Sequence, residues 1–431
     1  MKTRVVNKRY EDVIAMPKEK PLKPLRQHVF FRMLMKTLSA FDLRAVNFKY
    51  EKIHMELLKE DEPCLVLMNH SSFIDLEIVA TLLSSRKFNI VATSDSFVGI
   101  MKWIMRLIGC IPTKKFVSDA NLVRNMVYCV KELKSTVVMY PEASYSFDGT
   151  ATPLPDSIGR CIKMLGVPVV MIRTYGAFTR QPLYNCLRKR KVDVSAEMKY
   201  LLSAEQVKTM GANQIQEIVK EEFSFDNFKW QQENEVCVDE PERAEGLNRV
   251  LYKCPNCKTE GKMVGEKNNL ICRECGKQYE LTEYGYMHAL DGDTEFDHIP
   301  DWYRWERGCV REEIENNTYL LDVPVDICMM VNMKAIYRVG EGNLKHTVDG
   351  FHLIGCDGQL DYRQKPSASY SLYSDYFWYE IGDVICIGDN KVLYYCFPKI
   401  EKDIVAKTRL ATEEMYKLAR QNRTGEGYHG V

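Results

Sequence analysis

The chain has 431 residues, 45% of them hydrophobic, which supplies apolar material for two or three globular domains. Its formal net charge of zero hides an asymmetry, because residues 1–200 carry 32 Lys and Arg against 19 Asp and Glu, and the remainder carries 27 against 40. A basic first half indicates an anionic lipid surface or an anionic substrate as its partner. An ordinary solvated surface is the alternative, and no nucleic-acid partner is expected.

The sequence predicts a cytoplasmic protein that is peripheral to the inner face of a membrane. Its longest apolar stretch, residues 97–112, contains Lys102 and Arg106 and is shorter than the roughly 20 residues of a transmembrane helix. The N-terminal residues are polar and charged, so we expect no signal peptide. The 15 cysteines then indicate a reducing compartment, where thiols stay free or bind metal.

Residues 21–45 place apolar side chains at helical spacing, at positions 30, 34, 38 and 41, with basic residues between them. This pattern predicts a basic amphipathic helix that lies on a membrane surface. A helix packed on the protein core is the alternative.

Predicted strands and helices then alternate up to about residue 200. The strands are expected over residues 64–69, 89–93, 136–141 and 168–174, and the helices over 71–84, 97–108, 120–133 and 157–165. This alternation predicts an α/β domain with a mostly parallel sheet. Such sheets place their chemistry at the carboxyl ends of the strands.

The most informative motif follows the first of these strands. It consists of a histidine, a carboxylate five positions later, and amide and hydroxyl side chains between strand and helix: Asn69, His70, Ser71, Ser72 and Asp75. An imidazole there can take a proton from an alcohol while the carboxylate holds its tautomer and supports the developing charge. Since Glu142 and Ser144 follow another strand of the predicted sheet, we expect them at the same edge.

Together, residues 69–75 and 140–146 resemble two motifs of the glycerolipid acyltransferases, a family that includes the 1-acyl-glycerol-3-phosphate acyltransferases. Residues 108–115 and 166–172 are similar to two further blocks, so the resemblance covers roughly residues 25–200. It implies that His70 is the general base, that Asp75 is its partner, and that Asn69, Ser71, Ser72, Lys114, Glu142 and Ser144 bind substrate.

The resemblance also implies the reaction and its participants. An acyl chain moves from acyl-CoA or an acyl-carrier protein to the hydroxyl of a lysophospholipid in phospholipid biosynthesis, with no organic cofactor beyond the acyl donor. Tyr145 stands where the family has an arginine, and Lys114 where another arginine is usual; Lys115, Arg160 or Arg173 can supply the missing charge. A non-catalytic lipid-binding or scaffold protein and a thioester hydrolase are the alternatives.

A second motif consists of two Cys-x2-Cys pairs, formed by Cys254, Cys257, Cys272 and Cys275. Four thiolates at this spacing predict a tetrahedral structural zinc site in a zinc ribbon. From about residue 315 the pattern is that of strands followed by a closing helix, an order that resembles the pleckstrin-homology and GRAM-like domains. We therefore expect an acyltransferase domain over residues 1–235, a zinc ribbon over 246–290 and a PH/GRAM-like domain over 300–422.

Overall fold

The computed structural model describes residues 4–117, 119–400 and 402–424. In the first half, strands and helices alternate: β1 (Val5–Asn7), α1 (Tyr10–Ile14), α2 (Val29–Ala45), β2 (Lys49–Ile53), β3 (Leu65–Met68), α3 (Ile74–Leu82), β4 (Phe88–Thr93), α4 (Met101–Leu107), β5 (Cys110–Thr113), α5 (Ala120–Lys131), β6 (Thr136–Met139), α6 (Ile158–Leu165), β7 (Val169–Tyr175), α7 (Ala177–Arg180), β8 (Ser195–Leu202), α8 (Ala204–Thr209), α9 (Ala212–Phe223) and α10 (Asn227–Glu233). This confirms the predicted α/β alternation.

Seven of these strands form a sheet in the order β2-β8-β7-β3-β6-β4-β5. The five strands from β7 to β5 are parallel, whereas β8 runs antiparallel to β7, and β2 is parallel to β8. The predicted mostly parallel sheet is therefore a mixed sheet with a parallel centre. β3 and β6 are buried at every position, which fits their continuous apolar sequences, because helices cover both faces of such a sheet.

The second half of the chain contains β9 (Met263–Glu266), β10 (Asn269–Cys272), β11 (Gln278–Leu281), β12 (Met287–Ala289), α11 (Ile299–Glu315), β13 (Leu321–Met330), β14 (Ile336–Thr347), β15 (Gly350–Gly355), β16 (Leu360–Gln364), β17 (Tyr373–Trp378), β18 (Gly382–Gly388), β19 (Leu393–Pro398) and α12 (Val405–Thr424). Strands β9 to β12 form an antiparallel four-stranded sheet around the cysteine pairs. We call β13 to β19 together with α12 the β-rich domain.

The β-rich domain is an antiparallel sheet in the order β16-β15-β14-β13-β19-β18-β17, and α12 packs against β17 and β18. Its strand order and closing helix are compatible with the PH/GRAM-like expectation, which stays a prediction. Strand β1 extends this sheet, because Val5 to Asn7 pair in parallel with Ile336 to Arg338 of β14. The N-terminal residues thus contribute to the most C-terminal domain, a long-range pairing that nothing in the sequence pattern indicated.

The β-rich domain packs directly on the seven-stranded sheet near the carboxyl ends of its strands. Phe116, which follows β5, is buried in one apolar cluster with Tyr373 and Trp378. The Tyr373 hydroxyl donates a hydrogen bond to the Asp95 carboxylate, and the Ser369 hydroxyl donates to the Phe116 carbonyl at 3.0 Å. The edge of the sheet that carries the predicted site is therefore covered by a second domain.

Among the residues that the structure describes, no helix combines the length and the apolarity needed to cross a bilayer.

Candidate active site and candidate metal centre

His70 and Asp75 lie in the connection between β3 and α3, where they form a hydrogen-bonded pair. His70 Nδ1 lies 3.0 Å from Asp75 Oδ2, and the same oxygen accepts the backbone N–H groups of Ser71 at 2.7 Å and Ser72 at 3.0 Å. The Asp75 side chain is fully buried, whereas 21% of the His70 side chain is exposed. Asp75 therefore fixes both the imidazole and the turn that leads into α3.

This geometry determines which nitrogen of His70 is available for chemistry. Because a carboxylate only accepts hydrogen bonds, Nδ1 donates to Asp75, and Nε2 is left as the proton acceptor. Burial lowers the pKa of His70, the bonded Asp75 carboxylate opposes that change, and the positive charge of Lys115 adds to the lowering. A neutral imidazole with a free Nε2 is the form that a general base requires.

Two tyrosines contact the faces of the His70 ring. Tyr140 stacks on it with ring centroids 4.3 Å apart, and Tyr145 lies at the same centroid distance with a 40° tilt. Tyr145 occupies the position at which the acyltransferase family has an arginine. In this chain that position restricts the orientation of the base and supplies no charge.

Glu142, which follows β6, is linked to His70 through the backbone, as the neighbouring positions of β3 and β6 predict. Its Oε2 accepts the His70 N–H at 2.8 Å, and its Oε1 accepts the Thr152 N–H at 2.8 Å. Burial raises the pKa of Glu142 to about 7, against the hydrogen bonds from Thr152 and His70. Both oxygens thus accept hydrogen bonds within the chain and hold the histidine loop in place, and the contact of Glu142 with substrate stays a prediction.

Asn69 and Ser144, also predicted to bind substrate, are buried and bonded within the chain as well. The Asn69 side chain bridges to Thr174 on β7, accepting its N–H at 2.9 Å and lying 3.1 Å from its hydroxyl, and contacts the Ser71 hydroxyl at 3.2 Å. The Ser144 hydroxyl donates to the Tyr145 carbonyl at 3.2 Å. The Ser72 hydroxyl is buried without a hydrogen-bond partner among the described residues. Of these side chains, Asn69 joins the histidine loop to β7.

The predicted substrate lysine, Lys114, contacts the β-rich domain. Its Nζ donates to the Asn390 carbonyl at 2.7 Å. The neighbouring Lys115 lies in the turn after β5, and its positive charge contributes to the lowered pKa of His70. Of the other cations considered, Arg173 donates to the carbonyl and contacts the carboxylate of Glu222. The binding of substrate by Lys114 stays a prediction.

The four predicted metal ligands come together in the loops of the four-stranded sheet. Their sulfur atoms all lie within 4.8 Å of one another, with Cys254 Sγ 3.8 Å from Cys275 Sγ, and Cys257 Sγ 3.7 Å from Cys272 Sγ. Four thiolates at the usual Zn–S distance of about 2.3 Å form a tetrahedron with edges of about 3.8 Å. The cluster therefore has the spacing that a zinc ion requires.

Comparison with known proteins agrees with the site in the first half of the chain. Residues 49–174 match the acyltransferase family model. A chloroplastic 1-acyl-sn-glycerol-3-phosphate acyltransferase of Brassica napus is 30% identical over 122 residues, which are 28% of this chain and 35% of that protein. A chloroplastic enzyme of the same name from Arabidopsis thaliana is 27% identical over 151 residues, 35% of this chain and 41% of that protein.

A solved structure, the lysophosphatidate acyltransferase PlsC of Thermotoga maritima, matches with a TM-score of 0.37 and 14% identity over 44% of this chain and 77% of that one. The chain spans well under half the length of the two plant relatives, and the family match does not extend to the cysteine cluster or the β-rich domain. Residues 49–174, which include His70, Asp75 and Glu142, are thus the part of the chain that matches the acyltransferase family model, called below the acyltransferase-family segment.

Proposed function

We propose that this protein transfers an acyl chain from a thioester, acyl-CoA or acyl-carrier protein, to the hydroxyl of a lysophospholipid such as 1-acyl-glycerol-3-phosphate. The observation that carries the proposal is the His70–Asp75 pair, in which Nδ1 is held by a buried carboxylate and Nε2 has no hydrogen-bond partner among the described residues. The names of the plant relatives support the acceptor class, and a role in phospholipid biosynthesis follows from it.

The reaction is a direct transfer with one base. Nε2 of His70 takes the proton of the acceptor hydroxyl while that oxygen attacks the thioester carbonyl carbon. The tetrahedral intermediate then breaks its C–S bond, and the leaving thiolate takes the proton back from His70. Asp75 keeps the imidazole in the required tautomer throughout and stabilises the transient imidazolium.

The site faces a surface suited to lipid. Exposed apolar side chains occur on α2, at the start of α3 and on α4, and include Phe30, Leu38, Phe41, Phe73, Ile100 and Trp103. Exposed apolar patches of this kind mark membrane or partner contacts. We propose that they place the protein on an anionic membrane, where an acceptor with one acyl chain resides.

We further propose that the four cysteines hold one structural zinc ion. A closed set of four thiolates leaves no position open for a substrate, so the metal would hold the loops of the four-stranded sheet together and take no part in acyl transfer.

The central test is His70→Ala, with His54→Ala as a matched control because His54 is exposed and lies outside the site. We expect His70→Ala to lower turnover by about 10²- to 10⁴-fold, the usual contribution of a general base, while a cooperative urea unfolding transition shows that the variant still folds. Activity is measured with acyl-CoA and acyl-carrier protein on a panel of lysophospholipids, with products identified by mass spectrometry. Undiminished turnover in His70→Ala contradicts the assignment. Release of free fatty acid without acylated lipid identifies a thioester hydrolase instead.

A further inference from the structure

A cavity of about 440 Å³ lies between the loop that follows β5 and strands β16, β17 and β18 of the β-rich domain. Its volume is in the range of about 300–1,000 Å³ that is usual for small-molecule sites. Lys115 and Phe116 contribute one wall, and Arg363, Lys365 and Tyr373 contribute to the other. The cavity is therefore lined by residues of both halves of the chain, most of them from the β-rich domain.

The cavity is lined by an excess of positive charge. Lys115, Arg363 and Lys365 face a single carboxylate, that of Asp389, which already accepts the backbone N–H groups of Lys391 at 2.7 Å and Val392 at 2.9 Å. Within the described part of the chain, no carboxylate oxygen lies within 4.0 Å of Nζ of Lys115 or Lys365, and Arg363 has one such contact, with Asp361 at 3.8 Å. These ammonium groups are therefore available to an anion.

Lys115 connects the cavity with the candidate active site. Its Nζ lies 4.5 Å from the centroid of the Tyr373 ring, and its charge acts on both His70 and the buried Asp375 without an ion pair to either. Phe116 and Tyr373, which line the cavity, also belong to the apolar cluster on which Ala143 packs, between Glu142 and Ser144 of the candidate site. The cavity and the candidate active site are therefore neighbours across this cluster. The partner cation of Lys115, Lys365, comes from the β-rich domain.

We propose that this cavity binds the phosphate of the acceptor, with Lys115 from the acyltransferase-family segment and Lys365 from the β-rich domain as its cationic partners. The inference deepens the proposed function, since it assigns the specificity for a phosphate-bearing acceptor to residues on both sides of a domain interface. It also explains how the chain functions with Tyr145 in place of the family's arginine and with Lys114 bonded elsewhere. The acceptor hydroxyl then approaches Nε2 of His70 while the phosphate stays in the cavity.

Lysine suits this task, because its ammonium group is a compact charge on a flexible stem. Two lysines can each bind a different phosphate oxygen, so the bidentate geometry of an arginine is not required. Lys115 is half-buried against the Tyr373 ring, which lowers the screening of its charge by salt, whereas Lys365 is exposed. The β-rich domain is accordingly part of the acceptor site.

The first experiment is kinetic and uses the full chain with Lys365→Gln, and with Lys345→Gln as the matched control, an exposed lysine on β14 outside the cavity. Removing one charge-assisted contact is expected to raise KM for 1-acyl-glycerol-3-phosphate by about tenfold. KM for the uncharged monoacylglycerol and kcat should stay unchanged, and the control should match the wild type. An equal change for both acceptors, or no change for either, overturns the proposal.

The second experiment measures binding and does not depend on acyl transfer. Isothermal titration with glycerol 3-phosphate is compared between the wild type and Lys115→Gln/Lys365→Gln, after urea unfolding confirms that the variant is folded. Loss of binding in the variant supports the cavity even if no acyltransferase activity is found, in which case the proposed function alone fails. Unchanged binding in the variant overturns the inference. Inorganic phosphate that binds as tightly as glycerol 3-phosphate overturns the assignment to an acceptor headgroup.

Discussion

At the scale of single residues, the pH dependence of catalysis follows from the surroundings of His70. Burial lowers its pKa, the Asp75 carboxylate opposes this, and Lys115 reinforces the lowering. Because the base works only when unprotonated, a lowered pKa extends activity to a pH below the ordinary histidine value of about 6.5. We expect the acid limb of kcat/KM to have its midpoint below that value.

Asp75→Asn tests the same relationship. The amide removes the group that favours the imidazolium, so the acid limb should move to still lower pH, while kcat falls by about 10²-fold or more because the tautomer is no longer fixed. A pH–rate profile of both proteins measures both effects. A midpoint at or above 7 in the wild type, or a shift of the limb to higher pH in Asp75→Asn, would contradict the assignment of the base.

Glu142 provides a second prediction at this scale, which separates a positioning role from substrate binding. Its two oxygens accept N–H groups of His70 and Thr152, so Glu142→Gln leaves one N–H facing an amide donor. We expect a loss of about 1–3 kcal/mol in the free energy of unfolding, measured by urea denaturation. Glu60→Gln, at an exposed turn, is the control and should change nothing. Unaltered stability with a raised KM would favour the substrate-binding role that the sequence predicted.

The residue scale also shows what sequence can predict about a site. The strand-end positions of His70 and Glu142 were sufficient to predict that they meet, because neighbouring parallel strands end at the same edge. The sequence could not predict that Lys114 bonds to the β-rich domain while Lys115 lines the cavity, since this depends on how the segment packs against that domain. The contacts of Tyr145 and Thr152 likewise arise from loop conformations that no periodic pattern encodes.

At the scale of elements, α2 offers a test of membrane association. The predicted amphipathic pattern over residues 21–45 becomes a helix over Val29–Ala45, and its apolar residues Leu38 and Phe41 are 61% and 70% exposed. Burying such side chains in lipid contributes about 1.5–3 kcal/mol each. Leu38→Glu/Phe41→Glu should therefore reduce binding to vesicles with an anionic lipid component by at least about tenfold.

Sedimentation with vesicles measures that binding, and Leu320→Glu is the matched control, because Leu320 is 59% exposed but precedes β13, in a different part of the fold. Equal binding of wild type and the α2 variant would mean that the apolar face of α2 contacts something other than lipid.

The sequence did not predict helix α11 or strands β2, β8, β14 and β16. The sequences of these elements mix polar and apolar residues, and their buried and exposed positions follow no single clear period. Tertiary packing, more than local sequence pattern, therefore determined their structure.

At the scale of the whole molecule, the cysteine cluster is expected to determine stability well beyond its own loops. Leu270 and Tyr279 of the four-stranded sheet belong to the same apolar core as Trp302 of α11 and Val325 of β13. The binding of structural zinc contributes about 10–16 kcal/mol to the folding of isolated zinc-finger peptides. The free energy of unfolding of a whole domain is of similar size, about 5–15 kcal/mol. Loss of the metal should therefore unfold the ribbon and lower the stability of the β-rich domain with it.

Metal analysis should find about one zinc per chain, and Cys254→Ser should lose both the metal and the high-temperature part of the thermal unfolding transition. Cys237→Ser is the control, because Cys237 is exposed and outside the cluster. A folded, metal-free wild type would refute the zinc assignment. The cysteine spacing alone predicted this cluster, since the four cysteines sit in short loops whose geometry is local, whereas the packing of the four-stranded sheet on α11 was not predictable from it.

The pairing of β1 with β14 has a consequence for synthesis of the protein. Val5 of β1 leaves the ribosome about 330 residues before its partner Ile336 of β14. At about 5–20 residues per second, this delay lasts roughly 15–65 s. During that interval β1 has no partner strand, while the exposed apolar side chains of α2 are already synthesised. The order of translation therefore gives a membrane, or a chaperone, an opportunity to bind α2 before β1 pairs with β14.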